Sequence, residues 1–203
     1  MTMHPGGAPL REEDIFSRVQ AVERARQVLP ANNGFRRAAV LIPLAWKDEE
    51  WQVLFTRRTE TVQSHKGQVS FPGGAVEPGD RTLEDTARRE TFEEIGLAPD
   101  QIRIVGRLHD YPTISDFLIT PIVGLIPWPA AFQVSAEEVQ RVFFVPLHWL
   151  AKPAHFEERP YLRQNGKVEP VIYYQLYDGE MVWGVTGRIT VNFLKILGML
   201  SEA

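Results

Sequence analysis

The chain has no cysteine among its 203 residues. This absence excludes a disulfide framework, a thiolate zinc site and a cysteine nucleophile, and it suits a reducing cytoplasm. The sequence also lacks any apolar run near the ~20 residues that a membrane-spanning helix needs. Residues 1–9 do not follow the charged-then-apolar plan of a signal peptide. We therefore expect a cytoplasmic protein with no membrane partner.

Positive charge is not in excess either, because 22 Lys and Arg residues face 26 Asp and Glu residues, for a formal net charge of -4. We expect no nucleic-acid partner, and a phosphate-rich ligand would have to be held by a few local cations or by metal ions. The length suits one compact α/β domain. We predict a flexible N-terminus over residues 1–9 and a single domain over 10–203, with its core at about 36–200.

Apolar periodicity locates the secondary-structure elements. Helical spacing predicts helices over 10–29, 82–95 and 186–200, the second ending at Gly96. Short β-rich runs predict strands over 37–46, 51–58, 68–71, 102–108, 118–126 and 139–145. Residues 171–177 and 181–183 flank Asp178-Gly179, a two-residue hairpin signal. The proline-containing segment 151–170 is expected to be a surface excursion.

The helix predicted over 82–95 has a dense acidic face. Glu90, Glu93 and Glu94 fall within one arc, because positions i, i+3 and i+4 are neighbours on a helix. Carboxylates at this density need a compensating cation, and hard oxygen ligands suit Mg²⁺ or Mn²⁺. A solvated charged face is the usual explanation of an isolated acidic run. Gly74 upstream favours a metal site, since glycine allows close backbone approach.

This pattern resembles the box of the Nudix family, which is a glycine, an acidic loop, Arg-Glu, two residues, Glu-Glu, one residue and Gly followed by an apolar residue. The matching residues are Gly74 and the run Arg89-Glu90-Thr91-Phe92-Glu93-Glu94-Ile95-Gly96-Leu97. Thr91 stands where the family usually has an apolar residue. The loop from Gly74 to Arg89 is one residue longer than in the common box, with Asp80 at the expected distance for the loop acid.

The resemblance implies a Nudix-type α/β/α sandwich with a mixed β-sheet, preceded by an N-terminal helix. It implies that Glu90 and Glu94 bind the metal, with Glu93 in support and the Gly74 carbonyl completing the shell. Arg89 would orient the carboxylates. The implied reaction is attack of water on one phosphorus of a diphosphate. The intact acids count against the alternative of a non-catalytic Nudix-like domain that senses nucleotides.

A general base is also required for this reaction. Glu138, in Ser135-Ala136-Glu137-Glu138-Val139, precedes a predicted strand that could run beside the site, which makes it a candidate. An ordinary surface charge with Ser135 as a cap explains the same residues. Both interpretations stay open.

A second stretch is similar to the pattern of coenzyme A pyrophosphatases within the Nudix family. It consists of Leu54-Phe55-Thr56-Arg57-Arg58-Thr59, His65-Lys66-Gly67 and Phe71-Pro72-Gly73-Gly74. All its spacings fit. Phe55 and Thr59 depart mildly from the pattern, whereas Gln63 replaces an arginine whose fork would grip phosphate. The resemblance implies cleavage of coenzyme A or acyl-coenzyme A to 3′,5′-ADP and (acyl-)4′-phosphopantetheine.

The candidate substrate-binding residues of this stretch are Arg57, Arg58, Lys66 and Gly73. The three cations would meet the phosphates of a coenzyme A-like ligand, which an acidic protein must hold with local positive charge. Their alternative role is a basic strand edge that prevents aggregation.

Two further alternatives remain. Pro112 lies fifteen positions past Leu97, and a proline near there is associated with ADP-ribose pyrophosphatases in this superfamily, so ADP-ribose or another nucleotide sugar or dinucleotide is the alternative substrate. Exposure of Trp128, Phe132 and Phe156 would indicate a homodimer.

Overall fold

The structure is a computed structural model that describes residues 10–26, 34–60, 67–163 and 166–201. The predicted flexible N-terminus, Gln63 and the candidate Lys66 lie outside the described residues. Within the described part of the chain, no helix is long and apolar enough to cross a membrane.

Four α-helices, two short 3₁₀ helices and ten strands make up the described fold. The α-helices are α1 (Glu12–Ala25), α2 (Leu83–Ile95), α3 (Leu147–Leu150) and α4 (Gly184–Ile196), and the 3₁₀ helices are Pro99–Gln101 and Pro153–His155. The strands are β1 (Arg36–Lys47), β2 (Glu50–Arg58), β3 (Val69–Ser70), β4 (Gly73–Ala75), β5 (Arg103–Arg107), β6 (Tyr111–Pro112), β7 (Phe117–Leu125), β8 (Val139–Pro146), β9 (Phe156–Leu162) and β10 (Val168–Tyr174).

The main sheet of the described chain is mixed and has eight strands. Its path is β3-β2-β1-β7-β5, with β4 paired to β1, β6 to β7 and β8 to β2. The central pair β1 and β7 is parallel, from Arg36 opposite Phe117 to Leu44 opposite Leu125. The other pairs in this sheet are antiparallel. Strands β9 and β10 form a separate antiparallel hairpin.

Side chains of β1 alternate between two hydrophobic clusters, as the two-residue period of a strand requires. Ile42 and Leu44 lie in a cluster that includes residues of α1 and α4. Leu41 and Ala45 lie in a second cluster, which includes residues of α2. Helices therefore cover both faces of the sheet. The predicted α/β/α sandwich with a mixed sheet and an N-terminal helix is confirmed.

The region after β8 differs from the prediction. Segment 151–170 contains β9, which pairs with β10 and is mostly exposed, so the excursion is a hairpin. Prolines hid the strand pattern, yet Pro160 and Pro170 lie opposite each other, which confines the missing N–H groups to one residue pair. The strand predicted over 171–177 is present in part as β10, whereas no strand forms over 181–183. The Asp178-Gly179 turn is present, and isolated bridges flank it.

The three aromatic residues singled out for a homodimer differ in exposure. Phe132 packs near Phe144, with ring centroids 6.1 Å apart, and Phe156 packs on Tyr174. Both are half-buried within the fold. Trp128 is 40% exposed. A homodimer stays a prediction.

Candidate active site

The acidic helix α2 begins and ends where local sequence signals predict. Thr82 is its N-cap: the Thr82 hydroxyl accepts the Asp85 amide at 3.1 Å, and the Asp85 carboxylate accepts the Thr82 amide at 3.2 Å. This reciprocal pair satisfies two otherwise free donors. Gly96 ends the helix at φ 71, a conformation that glycine adopts without strain.

A close approach between β4 and α2 explains the second glycine of the Phe71-Pro72-Gly73-Gly74 stretch. The sequence predicts a glycine turn, but Gly73 and Gly74 enter a short strand opposite Val40 and Ala39 of β1. A Cβ on Gly74 would lie 2.4 Å from Oε1 of Glu90. A side chain at position 74 would therefore displace this carboxylate from its present position.

Arg89 donates hydrogen bonds to several acids on and beside α2. Its Nε and Nη2 donate to the two carboxylate oxygens of Asp80 at 3.1 and 3.0 Å, and Nη2 also donates to the carbonyl of Ala75 at 3.0 Å. Nη1 donates to Glu90 and Glu93, both at 3.0 Å. The guanidinium thus holds one loop and two acids of α2 in a fixed arrangement.

The sequence pattern indicates Asp80 as the candidate loop acid, but it does not indicate that Arg89 is its partner. Besides the Arg89 fork it accepts the Thr86 hydroxyl at 2.8 Å and the Glu77 amide at 2.9 Å. Chiefly through the hydrogen bond from Arg89, these donors lower the pKa of Asp80 to about 2. Asp80 therefore stays ionised and keeps Arg89 in place.

Glu94 is the most deeply buried acid of the site, with 1% of its surface exposed. Arg58 Nη1 donates to its Oε1 at 3.3 Å. Its Oε2 is buried with no hydrogen-bond partner among the described residues. Burial raises the pKa of Glu94 to about 8. Arg58 and a hydrogen bond from the Gly73 backbone oppose this shift, and the charges of Glu90 and Glu138 add to it.

Glu90 shares this environment. Burial is the main cause that raises its pKa, Arg89 opposes the shift, and Glu93 and Glu138 add to it. Glu93 is more open, with 49% of its side chain exposed. Two acids are thus held in a setting that disfavours their charged forms, which a bound cation would reverse.

Glu138 lies close enough to the acidic face for its charge to raise the pKa of both Glu90 and Glu94. The loop before it is docked on the end of α2, where the Ser135 amide donates to the Glu94 carbonyl at 2.9 Å. The Glu138 carbonyl accepts the amide of Thr59 at 2.9 Å. The sequence predicted that Glu138 could lie beside the site because it precedes a strand. No local sequence pattern indicates the hydrogen bonds that hold its loop on α2.

The two adjacent arginines of β2 lie on opposite faces. Arg58 reaches Glu94 on α2. Arg57 donates to Glu180 at 2.8 Å and to Gln140 at 2.9 Å, and Glu180 is buried. The structure therefore brings Arg58 to the acidic helix and places Arg57 away from it, and a role of either in substrate binding stays a prediction.

Thr91, the departure from the apolar position of the box, is fully buried. Its hydroxyl donates to the carbonyl of Ala87 one turn earlier, at 2.6 Å. The internal hydrogen bond satisfies the polar group, so threonine can occupy this position without an unpaired buried hydroxyl.

The donor set fits a hard divalent cation. Glu94 Oε2 is a buried acceptor without a described partner, and Gly74 leaves space for the Glu90 carboxylate beside it. Carboxylate and carbonyl oxygens are the ligands that Mg²⁺ and Mn²⁺ prefer. Among the described residues no three acidic or histidine side chains already converge on one point. Arg58 donates to Glu94 and Arg89 donates to Glu90.

Comparison with known proteins fits this geometry. The model of the NUDIX domain matches residues 35–164, more than half of the chain. The chain belongs to the Nudix family. It is 36% identical over 154 residues, 76% of each protein, to the uncharacterized Nudix hydrolase NudL of Yersinia pestis (strain Pestoides F). It is accordingly a Nudix hydrolase that acts on a pyrophosphate bond of a nucleoside diphosphate derivative.

Solved structures with a similar fold include a MutT/nudix family protein from Enterococcus faecalis, with a TM-score of 0.49, 16% identity and coverage of 85% of this chain and 71% of that one. The NUDIX domain of Shewanella oneidensis NrtR, solved with ADP ribose, has a TM-score of 0.45, 19% identity and coverage of 63% and 83%. Nudix hydrolases generally use divalent metal ions such as Mg²⁺ or Mn²⁺.

Replacing Gly74 with alanine is expected to lower kcat/KM for diphosphate hydrolysis about a hundredfold, because the new Cβ must displace the Glu90 carboxylate by an ångström or more. Gly79→Ala in the same loop is the matched control, since a Cβ there meets no atom within 4 Å. Equal activities of the two purified variants would contradict the tight packing of Gly74 against Glu90.

Proposed function

We propose that this Nudix hydrolase cleaves coenzyme A or acyl-coenzyme A to 3′,5′-ADP and (acyl-)4′-phosphopantetheine in the cytoplasm, with Mg²⁺ or Mn²⁺. The observation that supports this substrate is the 3.3 Å contact between Arg58 and Glu94. It joins the coenzyme A pyrophosphatase-like stretch of β2 to the acidic helix. A cation from that stretch, Arg58, therefore lies beside an acid that would hold the metal.

The acids and the glycine divide the metal-binding work. Glu90, Glu94 and the Gly74 carbonyl would hold the metal, with Glu93 in support. When bound, the metal lowers the pKa of water and neutralises charge on the phosphoryl oxygens. Arg89 keeps Glu90 and Glu93 aimed by donating to both. These assignments use as a ligand atom the buried Glu94 Oε2, which has no hydrogen-bond partner in the part of the chain that the structure describes.

The remaining residues would serve the reaction itself. Glu138 accepts a proton from the attacking water, the water oxygen bonds to one phosphorus, and the bridging P–O bond breaks. Arg58, Lys66 and the Gly73 backbone bind the phosphates. Arg57 is held by Glu180, so we expect it to contribute less than Arg58 does.

Pro112 is the residue that favours the competing substrate, ADP-ribose. In the fold Pro112 belongs to β6 and lies opposite Leu118 of β7. This pairing gives the proline a structural role that does not involve a ligand. We therefore keep coenzyme A or acyl-coenzyme A as the proposed substrate.

A mass-spectrometric panel tests the substrate. Purified protein with Mg²⁺ or Mn²⁺ is given coenzyme A, acyl-coenzyme A, ADP-ribose, NADH and dinucleoside polyphosphates at equal concentration. We expect the highest kcat/KM with coenzyme A or acyl-coenzyme A and products of the masses of 3′,5′-ADP and 4′-phosphopantetheine. A preference for ADP-ribose would overturn the substrate but keep the chemistry, and no cleavage of any diphosphate would overturn both.

A further inference from the structure

The carboxyl ends of the parallel strands β1 and β7 border a surface cavity of about 560 Å³. This volume is in the range of small-molecule sites, and ligands of open α/β sheets often bind outside the carboxyl ends of strands. The acidic site lies further back along β1. Gly73, next to the site, pairs with Val40, which is six residues before Trp46. At the rise of a strand the cavity is about 20 Å from the acidic site.

Three tryptophans line the cavity, and two of them are unusually open. Trp46 is 48% exposed and Trp128 is 40% exposed. Trp51 is buried and packs edge-to-face on Trp46, with ring centroids 5.3 Å apart. Trp128 packs edge-to-face on Phe144 at 4.9 Å, and Lys47 Nζ lies 5.3 Å from its ring centroid. Both indoles are held by neighbours while much of their apolar surface meets water.

The polar rim of the cavity carries balanced charge. Arg103 and Glu12 form an ion pair at 2.5 Å, so neither a cationic nor an anionic ligand finds an excess of opposite charge. Gln101 accepts the Ala98 amide through Oε1 at 3.2 Å, which leaves its NH₂ group as a donor. The rim therefore offers donors and acceptors around an aromatic floor. A neutral planar ring with polar edges matches this combination.

We propose that this cavity is a second ligand site, which binds a neutral purine base of a nucleoside or nucleotide. The base stacks on Trp46 and Trp128, and its edge bonds with Gln101 and with the Glu12–Arg103 pair. Such stacking uses the π-face that every base presents. The proposal does not depend on coenzyme A being the substrate.

Adenosine is the probe, because it lacks the diphosphate on which the enzyme acts. The indole N–H signals of the tryptophans are followed by ¹H–¹⁵N NMR in the full chain and assigned from single Trp→Leu variants. We expect the signals of Trp46 and Trp128 to shift with saturation, while those of Trp149 and Trp183 stay unchanged as internal references. Trp149 packs among His155, Tyr174 and Tyr177, and Trp183 packs on Tyr173.

Variants distinguish binding in this cavity from binding elsewhere on the protein. Trp46→Leu and Trp128→Leu should each weaken adenosine binding about tenfold or more. Ile114→Ala should leave adenosine binding unchanged. Ile114 is an exposed apolar residue that precedes the N-terminal end of β7, whereas the cavity lies at the carboxyl end. Thermal unfolding of each variant checks that the fold is kept, which the exposure of both indoles favours.

Three results would overturn the proposal. One is an absence of shifts at saturating adenosine. Another is a larger response to tetramethylammonium, which would make the cavity a cation cage. The third is a set of shifts that follow protein concentration, which would make it a contact between two copies of the chain.

Discussion

Glu94→Gln is expected to reduce kcat/KM for diphosphate hydrolysis about a thousandfold or more while the protein stays folded. Glutamine keeps the shape of Glu94 but removes the charge that a metal ligand needs. Glu137→Gln, at an exposed acid beside Glu138, is the control and should retain wild-type activity. An active Glu94→Gln enzyme would refute the assignment of Glu94 as a metal ligand.

When a chelator removes the metal, Glu94→Gln should be at least as stable as the wild type, although it is less active. The folded-state pKa of Glu94 is raised from 4.5 to about 8, so ionisation is disfavoured in the fold. Wild type therefore loses stability as pH rises from 4.5 towards 8, and Glu94→Gln does not. At pH 8 the variant should unfold at an equal or higher temperature, and the difference should vanish near pH 4.5.

Added Mg²⁺ or Mn²⁺ should reverse this order. A ligand that binds only the folded state raises the unfolding temperature. Wild type should gain from the metal, and Glu94→Gln should gain much less. Differential scanning fluorimetry with and without metal measures all of these effects. Equal metal-induced shifts in both proteins would contradict a metal site at Glu94.

Local signals explain why the sequence predicted α2 so closely. Thr82 and Gly96 act through their own backbone and nearest turn, so their chemistry alone fixes the ends of the helix. The acidic arc follows from helical periodicity in the same way. The ends of α2 and its acidic face were accordingly predictable from local patterns, whereas the α/β/α fold was predicted from the resemblance to the Nudix family.

Contacts across the chain were not predictable. Strand alternation requires Arg57 and Arg58 to face opposite ways, but only the partners Glu180 and Glu94, far away in sequence, decide which one faces α2. The charge of Glu138, which adds to the raised pKa of Glu94, likewise comes from a residue far away in sequence. Such properties belong to packing and are absent from a single-sequence pattern.

Arg89→Met is expected to lower the free energy of unfolding by about 3–5 kcal/mol, because it leaves buried carboxylates without their cation. The side chains of Asp80 and Glu90 are only 5% and 15% exposed. Activity should fall about a hundredfold as well, since Glu90 and Glu93 lose a shared donor. Urea unfolding at pH 7 measures the first effect, and steady-state kinetics measures the second.

The pKa of Asp80 determines how the stability that depends on Arg89 changes with pH. Its folded pKa is lowered from 3.8 to about 2, so the stability gained from its ionised form is complete above pH 3.8 and is lost as pH falls towards 2. The full contribution is therefore present at pH 7. Asp80→Asn combined with Arg89→Met should cost less than the sum of the single changes, because each removes the same interaction.

Two variants test whether geometry as well as charge matters. Arg89→Lys keeps the charge but loses the fork that spans both oxygens of Asp80, so it should recover only part of the stability and activity. Arg81→Ala is the surface control. The Arg81 side chain is 89% exposed and 3.5 Å from Asp85, and its loss should cost at most about 0.5 kcal/mol. If Arg89→Met were as mild as Arg81→Ala, Arg89 would not organise the site.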